Sequence, residues 1–224
     1  MTDAALFDWD GTLLDSREVL LAAWHAATDE VLGRRFPTSA EEEALVFTLA
    51  GTQLFPHVAG DDARAQRLAA AFQSAYETTS ERVRPFPGVV EMLTELGAAG
   101  VGVGVVTSKS RRRFDADVQR IGVQGLIDVA VCQEDTEAHK PDPAPVRHAL
   151  ALLGVAPDRA VMIGDTPVDI AAGAAAGTTV VGVAWGAAAE GALLDAGASG
   201  VARDARELVR LVLDADRDSE RPTT

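Results

Sequence analysis

The chain has a single cysteine, Cys132, so no intramolecular disulfide can staple it. Its place in the apolar run Ile127 to Cys132 points to a buried structural thiol. Basic residues are scarce as well: 20 Lys and Arg against 34 Asp and Glu leave a formal net charge of −14 and a pI near 4.6. A surface of that sign repels phosphate backbones and anionic lipid, so neither nucleic acid nor a membrane surface is an expected partner. A small anionic substrate remains compatible where a metal and a few basic groups reverse the field locally. No apolar stretch reaches membrane-spanning length, because glycines and charges interrupt every candidate. Met1-Thr2-Asp3 leads into a strand-like segment with no basic region and apolar run before it, and the expected location is the cytoplasm. What is abundant is apolar: 47% hydrophobic residues over 224 positions suffice for one sizeable core, or for a core carrying a smaller insertion.

The stretch Leu6-Phe7-Asp8-Trp9-Asp10-Gly11-Thr12-Leu13 organises the rest. An apolar run from Ala4 ends in two carboxylates one residue apart, and Gly11 lets the backbone leave the strand sharply. If strand geometry continues that far, Asp8 and Asp10 share one face. Such a pair can hold a hard cation and divide nucleophilic from acid/base work. Taken alone, an Asp-Gly hairpin turn with solvated carboxylates accounts for the same residues.

After Thr12, Asp15 to Gly33 reads as a helix with Val19, Leu20, Ala23, Trp24, Ala27, Val31 and Leu32 on one stripe. Helices follow at Ser39 to Leu49 and Asp61 to Ser80, with a loop at Ala50 to His57 and no strand until well past residue 90. Arg84-Pro85-Phe86-Pro87-Gly88 is a stiff exit from this helical block. From there helix and strand alternate. Helices are expected at Val89 to Ala99, Ser110 to Ile121, Pro143 to Leu153, Val168 to Ala176 and Ala205 to Leu213. Strands are expected at Val101 to Val106, Ile127 to Cys132, Ala160 to Ile163, Thr179 to Val183 and Gly200 to Ala202. Strands so separated imply parallel pairing with right-handed crossovers. The architecture is therefore a three-layer α/β/α core, residues 1–14 and 85–215, with an all-helical insertion at 15–84 after the first strand. The charged, aperiodic tail Asp216 to Thr224 reads as disordered. Glycines 100, 102 and 104 lack the third glycine of a dinucleotide fingerprint and fit close packing in a strand instead.

In an open parallel sheet, ligands bind outside the carboxyl ends of the strands. Four loops at that rim carry polar groups: Asp8 and Asp10; Thr107 and Ser108; Lys140; and Gly164-Asp165-Thr166-Pro167-Val168-Asp169. Each has a structural explanation as a cap or surface residue. Together they can perform phosphoryl transfer. Asp8 can attack phosphorus, Asp10 can protonate the leaving oxygen and later deprotonate water, and a lysine and hydroxyl can bind the equatorial oxygens. Carboxylate-held magnesium would neutralise charge beside the nucleophile.

These residues resemble the four motifs of the haloacid dehalogenase superfamily of phosphohydrolases, from Ala4 to Leu213 and in the family's order. The resemblance implies a Rossmann-like core and Asp8 as nucleophile, Asp10 as acid/base, and Thr107 and Lys140 on the phosphoryl group. It implies magnesium on Asp8, the Asp10 main-chain carbonyl and Asp165, with Asp169, Gly164 and Thr12 in support and Gly11 and Ser108 offering backbone N–H groups. The insertion is similar to the small cap of the phosphoglycolate phosphatase and β-phosphoglucomutase branch, where caps select substrate. Asp10 argues against dehalogenation, and the absence of lysine from Asp15 to Arg84 argues against a Schiff-base phosphonate hydrolase. Gly51 is followed by Thr52, Gln53 and Leu54 rather than the arginine expected of a mutase. The expectation is a phosphatase acting on a small phosphorylated metabolite. Mutase-like transfer and a catalytically silent phospho-acceptor module are the alternatives. Gly51, Thr52, Gln53 and His57 are candidates for facing the substrate, whereas His25 beside Trp24 reads as structural.

Overall fold

The computed structural model describes residues 2–214, so the tail expectation lies outside the described residues. The first half of the chain forms β1 (Ala4–Phe7), β2 (Leu14–Asp15), α1 (Arg17–Leu32), α2 (Ala40–Thr48), α3 (Gly51–Ala59), α4 (Asp62–Thr79), β3 (Arg84–Pro85), α5 (Val89–Ala98) and β4 (Gly102–Val106). The second half forms α6 (Arg111–Ile121), β5 (Val129–Val131), α7 (Ala144–Leu153), β6 (Ala160–Gly164), α8 (Pro167–Ala176), β7 (Thr179–Val183), α9 (Glu190–Asp195), β8 (Gly200–Ala202) and α10 (Ala205–Asp214). Six of the strands make one parallel sheet in the order β5–β4–β1–β6–β7–β8. The strand order reverses beside β1, which places β1, between β4 and β6, at the ligand-binding crevice of the sheet.

Alternation along β1 divides the core. Ala5 and Phe7 face α5 and α10, joining Met92, Leu96, Leu208 and Val212, while Ala4 and Leu6 face α7 and α8, joining Val146, Ala149 and Ile170. Both faces are covered, which is why the strands read as continuous apolar runs.

The helices α1 to α4 leave the core at β2 and return at β3, whose antiparallel pairing sets Leu14 opposite Pro85 and Asp15 opposite Arg84. This ladder corrects the expectation of no strand before residue 90. Two-residue strands carry no periodicity to read. The expected loop at Ala50 to His57 is instead α3, with Pro56 inside it. Leu54, Val58 and Ala59 are buried along one face, and Phe55 stacks on Trp24 at 4.9 Å. That burial outweighs the roughly 3 kcal/mol an interior proline costs a helix. The short helix α9 was also not expected, since six residues fall below the length at which helical periodicity can be told from a turn.

Candidate active site

The polar residues expected at the sheet rim do meet. Asp8 extends the ladder one residue past β1, its N–H donating to the Ile163 carbonyl at 2.9 Å. Lys140 reaches it from the loop before α7. The Lys140 ammonium donates to Asp8 Oδ1 at 2.7 Å, Asp169 Oδ1 at 2.6 Å and the Val106 carbonyl at 3.0 Å, which uses all three of its protons. Asp169 is placed by the start of α8, where its Oδ2 accepts from the Thr166 hydroxyl at 2.6 Å and the Thr166 N–H at 3.1 Å in a capping box. Asp165 accepts from the Thr12 hydroxyl at 3.1 Å and the Ala187 N–H at 2.8 Å. One oxygen from each of Asp8, Asp165 and Asp169 lies within 4.8 Å of the others. An all-oxygen, buried, anionic set of this kind suits a hard divalent cation.

Burial drives the electrostatics. Desolvation raises the Asp8 carboxyl well above the ordinary range. Lys140 opposes this, and the charges of Asp169 and Asp165 add to it. Asp165 is pushed up to about 7, chiefly by burial and then by Asp169, against the N–H of Ala187 and the hydroxyl of Thr12. Lys140 is also desolvated, yet Asp169 and Asp8 together hold its pKa above the normal lysine value. The site thus concentrates more negative charge than its lysine neutralises.

Two glycines are fixed by this crowding. Gly11 has φ +88°, and a Cβ there would lie 2.3 Å from Asp165 Oδ2; its N–H donates to the Leu14 carbonyl at 2.8 Å, so the expected role as a free backbone donor gives way to close approach. At Gly164 a Cβ would lie 2.2 Å from that of Asp169.

Asp8, Asp10, Thr107, Ser108, Lys140 and Asp169 line a cavity of about 70 Å³ beneath the helical insertion. Trp24, Leu54, Phe55 and Phe72 wall its other side, and Gly51 is the one expected insertion residue that reaches it. Gln53 and His57 are exposed on the far side of α3, and the Thr52 hydroxyl hydrogen-bonds with His139 Nε2 at 3.2 Å. One face of α3 is spent on core contacts, which turns these polar side chains away from the cavity. His25 donates to the Pro37 carbonyl at 3.0 Å, a structural contact. Cys132 is buried, and burial pushes its thiol up to about 12, so it is inert at neutral pH.

Lys109 was not anticipated. Its ammonium donates to Asp10 Oδ1 at 2.9 Å and to the Tyr76 hydroxyl at 3.0 Å and forms a salt bridge with Asp117 Oδ2 at 2.7 Å, and its side chain is 1% exposed. The available signal was rarity, for the chain has only two lysines, Lys109 and Lys140, and both lie at this rim.

A doubly wound sheet whose carboxyl edge gathers a buried aspartate, its lysine and a cation-compatible carboxylate cluster defines an α/β hydrolytic enzyme. The chain belongs to the haloacid dehalogenase-like hydrolase family, whose pattern it matches over residues 5–183. It is 36% identical over 191 residues to pyrophosphatase PpaX of Bacillus velezensis, covering 83% of this chain and 86% of that one. Pyrophosphatase PpaX of Bacillus pumilus is 33% identical over 196 residues, covering 85% and 87%. Among solved structures, a hydrolase from Pseudomonas syringae superposes with a TM-score of 0.84 at 26% identity over 96% of this chain and 99% of that one. A predicted phosphoglycolate phosphatase from Haemophilus somnus shares the fold at a TM-score of 0.81 and 22% identity, over 94% and 97%. Among the described residues no helix is long and apolar enough to cross a membrane.

Proposed function

We propose that the protein is a magnesium-dependent phosphatase that hydrolyses a small phosphate monoester through an aspartyl-phosphate on Asp8, with α1 to α4 as a cap over the site. One observation carries the reading: a carboxylate buried at the end of the central strand, gripped by Lys140 and opening on the same cavity as Asp10. Asp8 attacks phosphorus as the bond to the leaving oxygen breaks, and Asp10 gives that oxygen its proton. Water, deprotonated by Asp10, then cleaves the acyl phosphate. Thr107 and Lys140 bind the phosphoryl oxygens, Lys140 exchanging its bond to the Val106 carbonyl for one of them, and Asp169 holds Lys140 in place. Asp8, Asp165 and the Asp10 main-chain carbonyl would hold magnesium, with Asp169 adjacent; the ion, when bound, supplies positive charge to orient and neutralise the phosphoryl group. The test is phosphate release from p-nitrophenyl phosphate with magnesium and with a chelator, and no metal-dependent turnover would defeat the proposal.

Metal binding has a thermal signature. With its pKa raised to about 7 from 3.8, Asp165 ionises in the folded protein at a cost in stability that sets in above about pH 4 and is complete above about pH 7. A divalent cation binds the ionised form and offsets that cost. Magnesium is therefore expected to raise Tm more at pH 8 than at pH 5, by thermal unfolding of the metal-free protein. Equal shifts at the two pH values would count against the carboxylate cluster as the site.

Pyrophosphate, suggested by the names of the relatives, and phosphoglycolate each carry a second anionic group beyond the transferred phosphoryl. Lys109 and Lys140 are tied to carboxylates, whereas the Arg113 guanidinium lies over the rings of Phe72 at 5.2 Å and Tyr76 at 5.6 Å on the cavity wall. This supports a substrate with an anionic leaving group. Comparison of kcat/KM for pyrophosphate, phosphoglycolate and glycerol phosphates decides it.

A further inference from the structure

The chain's only tyrosine, Tyr76, meets Lys109 beside Asp10. The Lys109 ammonium meets three partners from three separate parts of the molecule: it donates to Asp10 after β1 and to Tyr76 on α4 of the insertion, and it is ion-paired with Asp117 on α6. Asp117 is itself saturated. It accepts from Arg120 at 3.1 Å, from the Tyr76 hydroxyl at 3.2 Å and from the Trp9 indole at 3.4 Å. The side chains of Lys109 and Asp117 are 1% exposed, but that of Asp10 is 18% exposed and lines the cavity. The network therefore presents one carboxylate to the substrate and buries everything that holds it. Because Lys109 takes Oδ1, the other oxygen of Asp10 is the one left to exchange a proton.

We propose that Lys109 is a positioning residue that fixes the Asp10 carboxylate for proton transfer, and that Tyr76 makes this placement depend on the helical insertion being seated on the core. The proposal rests on the reading of Asp10 as acid/base. Seven phenylalanines serve elsewhere for aromatic bulk, and Phe72 packs against Tyr76 at 6.2 Å, so the tyrosine differs from its neighbour only in the hydroxyl that reaches Lys109. A buried network of hydrogen bonds and ion pairs of this sort specifies a single geometry, and loss of one member releases the others.

The experiment compares Lys109→Met and Tyr76→Phe with wild type by kcat/KM across esters of differing leaving group. An alcohol leaving group needs the proton from Asp10, whereas p-nitrophenolate departs without it. Lys109→Met is expected to lose about 100-fold on an alkyl phosphate and less than about 5-fold on p-nitrophenyl phosphate, with Tyr76→Phe smaller in the same direction. An equal loss on both esters, or no loss on either, overturns the proposal, because a merely structural role does not discriminate between leaving groups. Should Lys109→Met not fold, Tyr76→Phe keeps the ring and its packing and is read by the same criterion. Failure of the phosphatase reading is distinct, since the wild type would then turn over neither ester.

Discussion

Replacing Asp8 by Asn lowers kcat/KM for phosphate release by roughly four orders of magnitude, the scale on which removal of a nucleophile acts when the rest of the site still binds substrate. The amide is isosteric and can still accept from Lys140 at the position of Oδ1, so the cavity keeps its shape. What it cannot do is form the bond to phosphorus. Stability should not fall with activity. Burial penalises the charged form of the wild-type carboxylate, and a neutral group at that position removes that penalty and part of the charge crowded against Asp165 and Asp169. The expected pattern is therefore abolished turnover with unchanged or raised Tm. Acid-quenched protein should carry label from radioactive substrate in the wild type and none in the variant. Retained turnover, or label in the variant, would place the nucleophile elsewhere.

The residues of the rim were legible because each sits at a strand end or in the loop that follows one. Strand ends are marked in sequence by an apolar run giving way to polar residues, and chain order then brings Asp8, Thr107, Lys140 and Asp165 to one edge of a parallel sheet. The Lys109 network was not legible, because its contacts are tertiary. Lys109 is 99 residues from Asp10 and 33 from Tyr76. Asp117 lies in a helix that opens Arg111-Arg112-Arg113 and looks solvent-facing, yet its carboxylate is buried. The insertion shows the same limit. The helical stripe of α1 was readable, but which residues of 50–59 face the cavity depends on α3 being a helix, and Pro56 pointed the other way.

Lys140→Ala is the substitution with the largest expected effect on stability. It removes the cation that pairs with both Asp8 and Asp169, whose side chains are 11% and 2% exposed. Breaking a buried pair by deleting one partner costs about 3–5 kcal/mol, because the carboxylates left behind stay desolvated and repel each other. In a domain of this size that is a Tm deficit on the order of 10 °C. Its pH dependence identifies the cause. Lys140 carries its charge throughout the accessible range, so the deficit is greatest where Asp8 is ionised. As pH falls, Asp8, already held well above its ordinary value, takes up a proton that substitutes for the lysine. The deficit measured at pH 8 should therefore narrow at pH 5, and magnesium at pH 8 should recover part of it, since the cation supplies the missing charge to the same carboxylates. Activity does not return with the stability, because the phosphoryl oxygens still lack their lysine. A deficit independent of both pH and magnesium would mean that the Lys140 stem contributes by packing alone.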